Sequence, residues 1–514
     1  MYPGVHAAQA PERPAVIMLG SGSRLTFGEL EENSRRLAHR LLAQGFRRGD
    51  VIALLSGNDP RVFEVYWAAQ RTGLYLTAIN KHLSAEELRY ILEDSGAEAL
   101  FLGPDAGVGV TGLSAHGRVR YAVAMDAPPE DGGTWHDYAE ELAAGSTAAL
   151  EDQPRGGDML YSSGTTGRPK GVRPPLPDRQ VDEPGDSMVA VFGDRIGLGP
   201  DTVFLSPAPL YHSAPLRLCA TVQALGGTVV VMEKFDDEAA LAAIERYGVT
   251  HSQWVPTMFV RMLKLPAEVR DRYDVSSLQV ALHAAAPCPV DVKQQMMDWW
   301  GRILYEFYSS TEVAGLTWVD PEAWISHPGT VGRSILGVIH VCDDDGQDLP
   351  AGGVGTVYFE RDARPFEYHN DPEKTRAAEH PDHPTWTTVG DIGYVDEDGY
   401  LYLTDRAAFM IISGGVNIYP QEIEDALALH PAVADVAVFG IPDPEMGEQV
   451  KAVVEVAPGH EPDEELAATL IAYARTRLAG FKVPRSLDFV QQLPRTPTGK
   501  LVKGPLRDRY RTPG

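Results

Sequence analysis

Two rhythms of apolar and polar positions alternate over residues 1–150. Val51-Ile52-Ala53-Leu54-Leu55 and Ala99-Leu100-Phe101-Leu102 are short unbroken apolar runs. Runs of that length, rich in branched side chains, predict strands covered on both faces. Between them the pattern predicts a helix over 61–71, closed at Gly73. Ser84-Ala85-Glu86-Glu87 is a capping box that opens a second helix running to about Ser95. A further strand is expected at 121–123. Strand, helix, strand in succession predicts a parallel sheet with helical crossovers. The rhythm resumes over 187–300, with strands expected at 228–232, 251–255 and 278–282 and helices at 237–247 and 257–265. Residues 330–404 are richer in Gly, Asp and β-formers, which predicts a small antiparallel unit. A break is expected near 405–408. Beyond it the pattern reads helix 420–429, strands 433–439 and 450–456, helix 463–478 and a loop-rich tail, a small α+β domain of ordinary size.

Length and charge narrow the reading. A chain of 514 residues is too long for one core. Its net charge of −27 argues against nucleic acid as a partner, and any anionic ligand must meet a local positive island. No apolar run is long enough to span a bilayer. The first residues lack a basic stretch followed by an apolar one, so no signal peptide is expected. Cys219, Cys288 and Cys342 are far apart, which fits a reducing, cytoplasmic setting and no zinc site.

Two glycine-rich stretches compete as nucleotide sites. Gly107-Val108-Gly109-Val110-Thr111-Gly112 matches a dinucleotide fingerprint, but no helical pattern follows it, and a surface loop is expected. Tyr161-Ser162-Ser163-Gly164-Thr165-Thr166-Gly167-Arg168-Pro169-Lys170-Gly171 is different. Its glycines free the backbone to aim N–H groups at an anion. Ser162, Ser163, Thr165 and Thr166 add hydroxyl donors, and Arg168 and Lys170 add charge. The stretch reads as a polyphosphate cradle. It is not a P-loop, because Gly-Lys-Ser/Thr does not follow at the required offset.

Further on, Tyr308-Ser309-Ser310-Thr311-Glu312 follows an expected strand at 303–306. A Thr-Glu pair on a strand-end turn offers a hydroxyl to a phosphate and a carboxylate to Mg²⁺, and Tyr308 offers a face to a base. His283-Ala284-Ala285-Ala286-Pro287, Tyr211-His212-Ser213-Ala214-Pro215, Thr388-Val389-Gly390-Asp391, Ser413-Gly414-Gly415-Val416-Asn417 and Pro497-Thr498-Gly499-Lys500 complete the set. In this order the motifs, spread over essentially the whole chain, resemble those of the adenylate-forming superfamily, which includes acyl-CoA synthetases, adenylation domains and luciferases. The nearest likeness is to actinobacterial-type medium- and long-chain fatty-acid–CoA ligases.

The resemblance implies an α/β fold. A large N-terminal domain (1–404) would hold two parallel-type αβα subdomains and a small β-barrel-like one. A hinge (405–409) would lead to a mobile α+β domain (410–514). It implies that Ser162, Ser163, Gly164, Thr165, Thr166 and Lys170 cradle the phosphates of ATP. Thr311 would touch the α-phosphate and Glu312 would hold Mg²⁺. Tyr308 would pack on adenine beside Ala284, Ala285 and Ala286. Asp391 would accept from the ribose hydroxyls, with Arg406 nearby. His212 would gate an acyl pocket whose other candidate positions are Trp254, Thr257, His283, Phe307, Val313 and Leu316. Ser413, Gly414 and Gly415 would line a tunnel for CoA, and Lys500 would be the catalytic lysine of adenylation. The sequence departs from the family at Ser309, where Gly is usual, at Ala407, and at the hinge position Ala408. A small-molecule acid, ATP and CoA are the expected ligands, and a homodimer is open. Three alternatives stand beside the acid:CoA ligase: transfer to a carrier protein, activation of nitrite for diazotisation, and a non-catalytic binding protein.

Overall fold

The computed structural model describes residues 2–106, 110–130, 132–162, 169–406, 409–413, 416–495 and 501–511, with backbone alone at 405, 406, 417 and 511. The chain divides into two compact units. One comprises Met1–Trp254, Ala267–Ala281 and Pro365–Thr375, the other Val255–Pro266, Leu282–Arg364 and Arg376–Gly514.

The first unit is built on two parallel-type sheets. In one, the strand order is His136–Asp137, Tyr121–Ala124, Ala99–Leu102, Val51–Leu55, Tyr75–Ile79, Gly157–Asp158, with every neighbouring pair parallel. Its two central strands are the apolar runs that mark the sequence, and both are fully covered. The helices Arg61–Gln70 and Ala85–Ser95 cross between strands. The capping box forms as expected: Ser84 Oγ accepts from the Glu87 N–H, and the Glu87 carboxylate accepts from the Ser84 N–H. The segment after Gly112 makes only the short 3₁₀ turn Leu113–Ala115 before strand Tyr121–Ala124. No nucleotide-binding helix follows the glycines there; residues 107–109 lie outside the described residues.

The second sheet of this unit runs His251–Trp254, Val203–Ser206, Thr228–Val231, Pro14–Met18, Arg24–Thr26. The first four strands are parallel and the last is antiparallel. Pro14–Met18 thus pairs with a strand more than two hundred residues later, register Val16 to Val229. A separate hairpin joins Leu160–Ser162 to Lys170–Arg173, extended by Glu367–Tyr368.

In the second unit, Leu304–Tyr308 and Leu316–Val319 form an antiparallel hairpin, with Arg333–Leu336 alongside. The strand expected to stop at Glu306 continues through Tyr308, because Phe307 and Tyr308 pair with Trp318 and Thr317. Residues 338–406 form a five-stranded antiparallel sheet, in line with the small antiparallel unit expected there. From Ile411 onward the chain builds a mixed sheet of Val416–Ile418, Ile411–Ser413, Gly447–Val456 and Val433–Asp443, with Ser486–Val490 parallel to Gly447–Val456. Ile411, Ile418, Ile423, Leu427, Val438, Val454 and Leu470 are fully buried at its centre.

The expected loop-rich tail is a correction. It holds the strand Ser486–Val490 and the helix Lys503–Arg511. The strand is half-covered at every position, so it shows no alternation. The helix, Lys-Gly-Pro-Leu-Arg-Asp-Arg-Tyr-Arg, offers little apolar period beyond the buried Leu506. Neither rhythm was visible in the sequence for those reasons.

Candidate active site

The two ends of the glycine-hydroxyl stretch lie on paired antiparallel strands. Ser162 and Lys170 are cross-strand partners at the ends of the two strands. Ser163, Gly164, Thr165 and Thr166 lie outside the described residues. The base of the hairpin is tied down on both strands. Tyr161 Oη donates to Asp94 Oδ2 at 2.6 Å, and the Lys170 ammonium lies 5.0 Å from the Tyr368 ring centroid. The His369 N–H donates to Gly171 O at 2.8 Å. The two strands that flank residues 163–168 are thus fixed at their bases.

In the same unit, His212 caps the helix Ser213–Ala224 without a side-chain bond to it. Its ring lies 4.6 Å from that of Tyr211. Among the described residues, His212 Nε2 and Tyr211 Oη are sheltered and have no hydrogen-bond partner. Burial holds the His212 imidazole down to about 3 and pushes the Tyr211 phenol up. Trp254 is fully buried, with its indole N–H donating to Ser252 Oγ at 2.7 Å.

The second unit contains a cavity of about 670 Å³. Thr257, Ala285, Ala286, Phe307, Tyr308 and Asp391 line it, six positions expected from sequence. Tyr308 Oη donates to Asp391 Oδ2 at 2.5 Å. Gly390, with φ of +83°, turns the chain so that Asp391 opens its strand at the cavity wall. Ala285 has φ of +76°, a costly conformation for a residue with a Cβ.

Thr311 and Glu312 sit in the loop of the 304–319 hairpin, and Glu312 is buried. The loop has an unusual backbone. Val313 has φ of +50°, rare for a β-branched residue. Ser309 Oγ donates across the loop to Gly315 O at 2.7 Å. Arg361 Nη1 donates to Val313 O at 3.2 Å and Ala314 O at 3.4 Å. A Cβ on Gly315 would fall 1.9 Å from the Phe359 ring, which explains the glycine. Leu316 begins the return strand and is buried.

At the cavity wall lies a charged cluster of which only His283 was expected from the sequence, as an acyl-pocket position. Lys293 Nζ bonds Glu306 Oε2 at 2.7 Å, and both side chains are buried. Glu306 also lines the cavity. His283 is fully buried 3.5 Å from the same oxygen, with neither ring nitrogen hydrogen-bonded among the described residues. Burial, reinforced by Lys293, holds its imidazole well below the usual range. Burial raises Glu306, and Lys293 opposes that shift. Ser413 ends the strand Ile411–Ser413 and is buried. Gly414, Gly415, Ala408, Lys500 and the Arg406 side chain lie outside the described residues.

Two parallel sheets, an antiparallel unit, a terminal α+β segment and this set of turns define a nucleotide-dependent acid-activating enzyme. The comparisons agree. The model of the AMP-binding enzyme family matches residues 5–363, and that of the AMP-binding enzyme C-terminal domain matches 422–500. The chain belongs to the AMP-binding enzyme family, and it is an ATP-dependent, AMP-forming ligase of the acyl-CoA synthetase kind. A feruloyl-CoA synthase from Amycolatopsis sp is 35% identical, over 99% of this chain and 98% of its own length. The fatty acid–acyl-carrier-protein ligase ScoC of Streptomyces coeruleorubidus is 33% identical, over 98% and 95%. The solved structure of the o-succinylbenzoate CoA synthetase MenE of Bacillus subtilis, in complex with its acyl-adenylate intermediate, superimposes with a TM-score of 0.79 at 26% identity, over 100% of this chain and 98% of that one. Among the described residues no helix is long and apolar enough to cross a membrane.

Proposed function

We propose that the chain joins a carboxylic acid to coenzyme A through an acyl adenylate, with residues 410–514 moving about a hinge at 405–409 between the two half-reactions. The observation that carries the reading is the meeting of Tyr308 and Asp391 at 2.5 Å on one cavity wall, beside Ala285, Ala286 and Phe307. An aromatic face, a carboxylate and a small-residue turn suit adenine and a ribose diol. The cavity volume of about 670 Å³ is within the range of small-molecule sites.

In the first half-reaction a carboxylate oxygen of the acid attacks the α-phosphorus of ATP. The bond to the bridging oxygen breaks, and pyrophosphate leaves with its electron pair. Both partners are anionic, so the barrier is largely charge repulsion and positioning. The 163–169 loop and Lys170 would hold the β- and γ-phosphates. Lys500 would contact the transferring centre, and Thr311 would donate to the α-phosphate. Mg²⁺ suits the turn's donor chemistry, since Glu312 and Thr311 offer hard oxygen ligands, and it would neutralise phosphate charge. In the second half-reaction the CoA sulfur attacks the acyl carbonyl, the thiol proton is lost, and AMP leaves. Ser413, Gly414 and Gly415 would border the thin pantetheine arm.

The test is pyrophosphate release across fatty and aryl-acrylic acids, with and without CoA, with product mass read by spectrometry. We expect release to require an acid and ATP, and CoA to yield a thioester. Release of AMP and pyrophosphate without any thioester would move the acceptor elsewhere. Absence of release with every acid would overturn the reading.

A further inference from the structure

We propose that Arg361 and Ser309 are positioning residues for adenylation, clamping the strained Thr311-Glu312 turn in its working shape. The inference rests on the reading above that this turn handles the α-phosphate and Mg²⁺.

The loop 309–315 carries both groups and joins two strands whose last pair is Tyr308 with Thr317. Inside it, Val313 stands at φ of +50°. A β-branched residue does not hold that conformation unaided. Four bonds oppose its relaxation. The Val313 N–H donates to Ser310 O at 3.1 Å, closing the turn around Thr311 and Glu312. Ser309 Oγ reaches across the loop mouth to Gly315 O at 2.7 Å. Arg361 Nη1 holds the two carbonyls that follow Glu312, those of Val313 and Ala314, at 3.2 and 3.4 Å. Arg361 sits at the end of the strand Gly355–Glu360, a rigid element outside the loop. Burial lowers its guanidinium pKa, which fits a side chain drawn in to serve backbone carbonyls. Among the described residues, the Ser310 hydroxyl is sheltered within the same turn without a partner.

Strain held from outside is a means of fixing a catalytic geometry. With Glu312 adjacent to the strained residue and Thr311 one position further back, any relaxation of Val313 moves their side chains. Where the family usually has a glycine, the hydroxyl of Ser309 here supplies a loop-closing bond in place of backbone freedom.

The experiment measures acid-dependent pyrophosphate release at varied Mg²⁺ and varied acid for Arg361→Ala, Ser309→Ala, Glu312→Gln and the double variant Arg361→Ala/Val313→Gly. Thermal midpoints are recorded for each. We expect Arg361→Ala to lower kcat by about 10- to 100-fold, as for lost supporting contacts elsewhere. The half-saturating Mg²⁺ should rise while the KM for the acid stays within about twofold. Glycine accepts a positive φ without strain, so Val313→Gly should restore part of the lost rate. Ser309→Ala should show the same pattern more weakly, and it carries the test if Arg361→Ala fails to fold. Unchanged kcat and Mg²⁺ dependence in both clamp variants, with Glu312→Gln inactive, would overturn the clamp and leave the turn's role intact. Full activity of Glu312→Gln would instead overturn the role of the turn.

Discussion

At the scale of single residues, the environment of His212 makes a measurable claim. Its imidazole sits at about 3 in the folded chain, against an ordinary 6.5. Below pH 6.5 the unfolded chain therefore takes up a proton that the folded one refuses. The stabilisation is fully present above 6.5 and is lost as pH falls toward 3. Between pH 7 and pH 5 this site should cost about 2 kcal/mol, and His212→Phe should flatten that part of the profile in chemical denaturation. A profile of equal slope in the variant would assign the acid lability elsewhere. For Asp391, loss of a carboxylate that accepts from ribose should raise the ATP KM by about 10- to 100-fold in Asp391→Ala, with little change in thermal midpoint. Unchanged ATP binding by calorimetry would remove the ribose role. Tyr308 and Asp391 were legible in sequence because each belongs to a local motif. Arg361 was not: in Glu360-Arg361-Asp362 it reads as a solvated charge. Its carbonyl partners lie 48 and 47 residues earlier, beyond any local pattern.

At the scale of elements, the strand Leu304–Tyr308 and the helix Val290–Trp300 are joined by a buried ion pair, Lys293 with Glu306. A buried pair is worth little against a well-packed apolar substitute, but removal of one member strands the other charge. Lys293→Met alone should therefore destabilise by about 3–5 kcal/mol, and adding Glu306→Leu should recover most of it. Denaturant midpoints of the two variants decide this; additive losses would mean that the pair is not coupled. Elements written in local chemistry were readable. The capping box at Ser84 and the run Val51–Leu55 fall where the sequence put them. Sheet order was not readable, because the pairing of Val16 with Val229 depends on which apolar strands find one another after collapse. The helix Lys503–Arg511 was missed because its cover comes from Phe439, Lys451 and neighbouring positions, not from a stripe of its own.

At the scale of the whole molecule, the apolar core beginning at Ile411 draws all its members from residues 411–489. A second cluster, from Ala437 to Tyr510, likewise draws only on residues beyond 410. A stretch that supplies its own interior should fold alone. The fragment 410–514, expressed by itself, should unfold cooperatively in denaturant, and a gradual transition would refute its autonomy. Autonomy is what a swinging domain requires, and it bears on Lys500. If that lysine serves only the first half-reaction, Lys500→Ala should abolish acid-dependent pyrophosphate release. The same variant should still convert supplied acyl adenylate and CoA to thioester at a rate within a few-fold of the parent. The asymmetry is the informative part. A folding defect or a shared catalytic role would depress both reactions together. Loss of the first alone requires that the lysine meet the nucleotide in one arrangement of the chain and leave it in the other.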